Sequence, residues 1–224
     1  MTTVGQQLAT AVAADPTRPL LTWYDDGTGE RTELSGATLA NWTAKTANLF
    51  VDGVGTRPGD PAVVLLPPHW QTAAILLGAW AAGSVVAGVP GPGEVGFATV
   101  ARAGELTQPE RYLVGLHPLG LPLPEVPAGY LDFATEVRAF GDVFQSPAPF
   151  AQDDLVGAAT DRASSLGLTR GDRVLIDVGR YPDPLDWLLA PLCAGASTVL
   201  CGQLDPAAVA KRVEVERVTR TLAG

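Results

Sequence analysis

The sequence predicts an α/β protein built from two similar parallel-sheet subdomains with crossover helices. Three observations lead there. A segment recurs at an offset of 112 residues, each copy alternates helical with strand-like apolar patterns, and the composition suits a packed core. Gly55-x-x-x-Gly59-Asp60 returns as Gly167-x-x-x-Gly171-Asp172, Leu76-Leu77 as Leu188-Leu189, and Ala82-Gly83 as Ala194-Gly195, with no gap between them. Self-similarity of this kind marks one supersecondary unit used twice.

The elements follow in order. Val4–Ala14 has a helical pattern, and Leu20–Tyr24 and Arg31–Leu34 form a hairpin over Asp26-Gly27-Thr28-Gly29. In each copy a helix comes first, at Gly36–Asp52 with Ser35 as N-cap and at Asp153–Leu166. Gly stops the helix and Gly-Asp turns the chain into a strand, at Pro61–Leu66 and at Arg173–Asp177. These short apolar runs are of the kind buried in parallel sheets. A second helix follows, Trp70–Ala82 or Leu185–Ala194, and new strands begin at Val85 and Ser197. Strand, helix, strand in that order implies parallel pairing through a right-handed crossover.

Between the copies, Val95–Val100 and Arg111–Leu116 read as strands, the proline-rich Leu119–Ala128 as an extended connection, and Leu131–Phe140 as a short helix. The end of the chain reads as a helix at Pro206–Val213 and a strand near Arg217–Thr221. Ser146-Pro147-Ala148-Pro149 is the expected junction, dividing a first subdomain, 1–145, from a second, 146–224.

Composition excludes several functions. Of 224 residues, 46% are hydrophobic and 17% charged, which is a globular balance. A net charge of −9 with scattered basic residues opposes binding to nucleic acid. Cys193 and Cys201 fit no metal-ligand spacing and read as small buried hydrophobes. With no basic n-region at the N-terminus, a cytoplasmic location is expected. The stretch from Pro61 to Gly93 carries no formal charge, yet Pro67-Pro68-His69 breaks it and Gly78, Gly83 and Gly88 punctuate its apolar run. Its sister copy holds Asp177, Arg180, Asp183 and Asp186, so no membrane span is expected.

Gly55-Thr-Arg-Pro-Gly-Asp-Pro-Ala-Val-Val-Leu-Leu-Pro-Pro and Leu77-Gly-Ala-Trp-Ala-Ala-Gly-Ser-Val-Val resemble the N-terminal part of acyl-CoA synthetases and other AMP-binding, adenylate-forming enzymes. Leu166-Gly-Leu-Thr-Arg-Gly-Asp-Arg-Val-Leu and Pro191-Leu-Cys-Ala-Gly-Ala-Ser-Thr-Val-Leu are similar to the stretch after those enzymes' nucleotide loop. The resemblance implies a domain of two like-built subdomains and covers most of the chain in structural motifs. It is greatest with the short, uncharacterised actinobacterial members.

The resemblance also implies a Ser/Thr/Gly-rich phosphate loop ending in Pro-Lys-Gly shortly before the second copy. The region is Phe144-Gln-Ser-Pro-Ala-Pro-Phe-Ala-Gln, with no glycine, no lysine, and two prolines that lack an N–H. The family's later nucleotide and magnesium motifs, and its catalytic lysine, are expected beyond Gly224. Lys45 and Lys211 are the only lysines and read as solvated surface residues.

No catalytic residue and no metal ligand is therefore assigned. No cofactor is expected either, ATP or AMP entering only through the family likeness. Ligands of parallel sheets favour the carboxyl ends of strands, where the repeat aligns Pro67-Pro68-His69-Trp70 with Gly179-Arg180-Tyr181-Pro182-Asp183. By resemblance the second loop and the helix after it help form the acyl or amino-acid pocket, which places Tyr181, Asp183 and Trp187 there; with Arg180 of that loop and His69 and Trp70 of the first, they are the candidate ligand contacts. Each has a plainer role as well. His69 can serve as a helix start, His117 lies in a loop, and Trp70, Trp80 and Trp187 can fill core space. Asp60 and Asp172 read as turn residues that bond their own backbone two positions on.

The expected function is a truncated relative without adenylating activity, acting as a binding or interaction protein. The alternative is a ligand-binding or catalytic subunit of an acyl or nucleotide ligase completed by another chain. A bare apolar face is expected to favour a homodimer or another protein partner.

Overall fold

A computed structural model describes residues 2–146, 148 and 150–223. In chain order the elements are α1 (Val4–Ala14), β1 (Pro19–Asp25), β2 (Glu30–Ser35), α2 (Gly36–Asn48), β3 (Pro61–Leu65), α3 (Trp70–Ala81), β4 (Val85–Ala87), β5 (Val95–Ala98), β6 (Glu110–Leu113) and β7 (Leu131–Asp132). They continue with α4 (Phe133–Glu136), α5 (Asp153–Ser165), β8 (Arg173–Asp177), α6 (Ala190–Ala194), β9 (Ser197–Gly202), α7 (Val209–Val215) and β10 (Arg220–Leu222).

Two compact units result. One is continuous, Ala40–Phe150, and the other joins Met1–Leu39 to Ala151–Gly224. A single boundary at 145/146 assigns residues 1–39 to the first subdomain, whereas strand pairing puts β1 and β2 in the sheet of the second half. That sheet runs β10-β8-β9-β1-β2, parallel except for the antiparallel edge pair β1–β2. The long-range partner of β1 is β9, with Leu21 level with Thr198, a pairing no local pattern announces. Pro147 and Pro149 of the expected junction lie outside the described residues.

The continuous unit holds an all-parallel sheet in the order β4-β3-β5-β6-β7. α3 is buried along its whole length from Trp70 to Trp80. A helix apolar all round belongs inside a protein core as readily as in a membrane. At 12 residues α3 is too short to span one, and no helix among the described residues is long and apolar enough to do so. On one side of the sheet Phe97 stacks on Phe50 and Tyr112, at 5.4 and 5.2 Å between centroids, and meets Phe133 edge-on at 5.9 Å. On the other, Val63, Leu65, Ala98 and Leu106 form a buried aliphatic cluster.

The Gly-Asp turns are the same structure twice. Gly59 N–H donates to Gly83 O (2.9 Å) and Gly171 N–H to Gly195 O (3.1 Å). Val85 N–H reaches Asp60 O (3.0 Å) and Ser197 N–H reaches Asp172 O (2.9 Å), each position 112 residues after its counterpart. Asp60 and Asp172 accept from the amides of Arg57 and Thr169, both at 2.7 Å. The carboxylates therefore close the turn backwards over three residues rather than forwards over two, because the Gly at 59 or 171 folds the chain onto the preceding amide.

Gly59 and Gly171 have φ of +97° and +89°, with nothing near enough to obstruct a Cβ. Replacing either with Ala is expected to cost about 1–2 kcal/mol through backbone strain alone. Gly104→Ala, equally open but at ordinary φ, should cost nothing; urea unfolding of the three variants makes the comparison.

Two helices read as continuous are not. α2 stops at Asn48 and the chain widens through Leu49–Val54, where Phe50 O collects the amides of Gly55 and Thr56 and the Thr56 hydroxyl. Leu185–Leu189 forms a similar wide turn before α6. Pro191 explains it, since its missing N–H leaves no donor for the carbonyl four residues back. Leu131–Phe140, expected as a helix, begins with the edge strand β7. Lys45 is likewise not simply solvated. Its ammonium donates to Phe140 O (2.6 Å) and pairs with Asp142 (2.9 Å).

Candidate functional site

Both candidate loops leave the carboxyl end of a strand that has parallel neighbours on both sides, one in each unit. After β3, Pro67 O accepts from the Thr72 hydroxyl (2.7 Å), and His69 adopts extended backbone as the N-cap of α3. Its Nδ1 accepts from Gln71 N–H at 3.2 Å. Burial pushes the His69 pKa down to about 3, so the ring is neutral at physiological pH. Trp70 packs edge-on against Trp42, 5.2 Å between centroids. Both candidates are buried, and the contacts they make are those of a cap and a core residue.

After β8 the chain is open. Asp177 organises the turn by accepting from Gly179 N–H at its carboxylate (3.0 Å) and from the Arg180 and Tyr181 amides at its carbonyl (3.1 and 3.0 Å). Asp183 accepts from Leu185 N–H at 2.8 Å and starts the following helical turn. Trp187 is buried, its indole N–H donating to Pro182 O at 3.1 Å, which pins the loop to the core. Arg180 and Asp183 are exposed and Tyr181 half-buried. Of the six candidates, these three present surface at a strand's carboxyl end.

The stretch before α5 carries no basic side chain between Phe144 and Asp154. The Gln152 side-chain oxygen accepts from Val4 N–H (3.0 Å), and Gln152 N–H donates to Thr2 O (3.0 Å). Asp153 accepts from Thr2 N–H (2.8 Å), a bond that holds its carboxyl below the usual range. With Asp154 it gives α5 an acidic first turn, which complements the helix dipole from within.

A charged cluster on the β1–β2 side of the discontinuous unit lies outside these loops. Strand alternation puts Thr22, Tyr24, Arg31, Glu33 and Arg173 on one sheet face, with Glu216 reaching in from the turn after α7. Glu216 is buried and accepts from Tyr24 (2.6 Å), Arg31 (2.9 Å) and Arg173 (2.5 Å). Burial alone would raise its pKa, but the hydrogen bonds from Tyr24, Arg173 and Arg31 together hold it below its ordinary value.

Beside it, Arg212 stacks over the Tyr24 ring at 4.1 Å and pairs with Asp26 at 2.6 Å. Sequence reading passed over this cluster. The local signal was the Arg31–Glu33 alternation on a short strand, but Arg173 and Glu216 come from elements more than a hundred residues away. Among the described residues, no group of three or more His, Cys, Asp or Glu side chains is placed to hold a metal ion.

No protein-family profile matches the chain. Its fold is that of the N-terminal portions of acyl-CoA synthetases. The Brucella canis acyl-CoA synthetase superposes with a TM-score of 0.76 at 19% identity, over 98% of this chain and 47% of that one. The N-terminal domain of FACL13 from Mycobacterium tuberculosis gives 0.67 at 15% identity, over 99% and 62%. The chain thus spans about half the length of the solved structures it matches. A TIGR03089 family protein of Mycobacterium tuberculosis is 40% identical over 235 residues, covering 97% of each chain. With that identity across nearly the whole of both sequences, this protein belongs to the TIGR03089 family.

Proposed function

We propose that the chain is a cytoplasmic binding or interaction protein that carries the acyl-CoA synthetase N-terminal fold without adenylating carboxylates. The observation that supports this best is the acidic, proline-containing entry to α5. Phosphate charge in an adenylation transition state must be met by positioned cations and N–H donors. Residues 144–154 supply no cation, and the first turn of α5 carries two carboxylates. These residues do not fit a nucleoside triphosphate. A fold does not bring its relatives' chemistry with it, and a histidine neutral in its buried cap offers no proton carrier in the neutral range.

The cytoplasmic assignment draws on two free thiols, Cys201 buried and Cys193 half-buried. Burial raises the pKa of both, Cys201 to about 11, which leaves them unreactive.

The test is ATP–pyrophosphate exchange with a panel of carboxylates, alongside thermal shift with ATP, AMP, CoA and acyl-adenylate analogues. No exchange and no nucleotide-specific stabilisation are expected. Reproducible exchange would refute the proposal, and stabilisation by a nucleotide several degrees beyond that given by inorganic phosphate at the same concentration would favour a ligase subunit completed by another chain.

A further inference from the structure

The charged cluster borders an open cleft of about 480 Å³. Four arginines line it, Arg18, Arg31, Arg173 and Arg217, against two carboxylates, Glu33 and Glu216. The cleft therefore holds two positive charges in excess within a chain of net charge −9.

The protein uses only part of the donor capacity of these arginines. Arg31 and Arg173 spend Nε and Nη2 on Tyr24, Thr22, Glu33 and Glu216, and neither Nη1 has a protein acceptor among the described residues. Arg18 uses only Nη2, on Gly171 O, Asp172 O and the Ser197 hydroxyl at 3.2–3.3 Å. Those contacts fix its head against the Gly171-Asp172 turn. Arg217 is exposed, and its guanidinium has no partner among the described residues. The open Nη1 of Arg173 and the spare nitrogens of Arg18 are not sealed from solvent.

Guanidinium groups that are held in place, incompletely paired and partly desolvated are what recognition of a tetrahedral anion requires. Glu216 fixes Arg31 and Arg173 from below, so the cleft is arranged before any ligand arrives.

We propose that this cleft binds a phosphate dianion, either inorganic phosphate or the head of a phosphate monoester. The bound charge equals the excess of the four arginines over Glu33 and Glu216. The site is separate from the segment before α5 and does not depend on whether the chain adenylates.

Isothermal titration with inorganic phosphate and with glycerol phosphate, each compared with chloride at matched ionic strength, tests it. Saturable binding by either is expected, the stronger of the two identifying the natural source. Arg217→Gln should weaken it at least fivefold, and Arg217→Lys should retain most of it. The Arg217 side chain makes no hydrogen bond or ion pair among the described residues, so its variants should unfold like the parent protein, and circular dichroism melts check this. Absence of saturation above the chloride control, or equal binding by the parent and Arg217→Gln, overturns the proposal. The Arg217→Gln chain also separates the two questions. A nucleotide response that survives in it belongs elsewhere than this cleft.

Discussion

Glu216→Ala is expected to destabilise the discontinuous unit by about 3 kcal/mol, since breaking a buried ion pair strands the partner charges. The side chain of Glu216 is 4% exposed and that of Arg173 is 13%, while Arg31 is 44% exposed and can rehydrate. That asymmetry places the expected loss at the lower end of the range for buried pairs. Tyr24 also loses its acceptor, and Arg173 keeps only Glu216 O, Thr22 and a distant Glu33 at 3.9 Å.

The same carboxylate makes stability depend on pH. Its folded pKa lies below the ordinary 4.5, so the unfolded chain binds the proton more readily. The stabilisation is therefore present above pH 4.5 and lost as pH falls through the folded value. Urea titrations at pH 7 and in acid should show a steeper acid loss for the parent than for Glu216→Gln. A cost below about 1 kcal/mol at pH 7 would mean that water satisfies the arginines as well as Glu216 does.

Phe97→Ala should cost the continuous unit about 4 kcal/mol. Phe97 is fully buried and touches Phe50, Tyr112 and Phe133. Truncation loses its transfer free energy, leaves a cavity, and removes aromatic pairs worth about 0.5–1.5 kcal/mol each. The neighbours cannot close the gap easily, because Phe97 and Tyr112 are locked side by side by the β5–β6 register. Phe97→Leu refills most of the volume and should cost markedly less. Equal losses for the two variants would place the energy in the aromatic contacts rather than the cavity. Against a total of about 5–15 kcal/mol for a domain, the alanine change threatens folding itself.

Much of the architecture was legible because local chemistry wrote it twice. The Gly-Asp turns need positive φ where only glycine is comfortable, and their carboxylates close the turn within three residues, so both copies show in the text of the sequence. The apolar runs of β3 and β8 and the uncharged, largely apolar α3 were equally plain, since burial on every side leaves no charged face to interrupt them. The edge strand β7 was missed because two residues show no alternation, and the break before α6 because a helical pattern carries straight across Pro191.

The candidate loops were placed correctly at the strand ends, but burial within a loop is not a sequence property. Nothing local separates His69 and Trp70, which are enclosed, from Arg180, Tyr181 and Asp183, which face solvent.

The sequence by itself determined the α/β class, the duplicated turn, and the want of basic side chains before α5, each being a matter of residue type at short spacing. Only the tertiary structure decided that β1 and β2 complete the second sheet, and that Arg18, Arg31, Arg173 and Arg217 share one cleft. Strand pairing between β1 and β9, and the placement of Glu216 over that sheet, bring together residues up to 199 positions apart. The energy that does so is the burial of two sheet faces, which depends on every strand at once and is written at no single place in the chain.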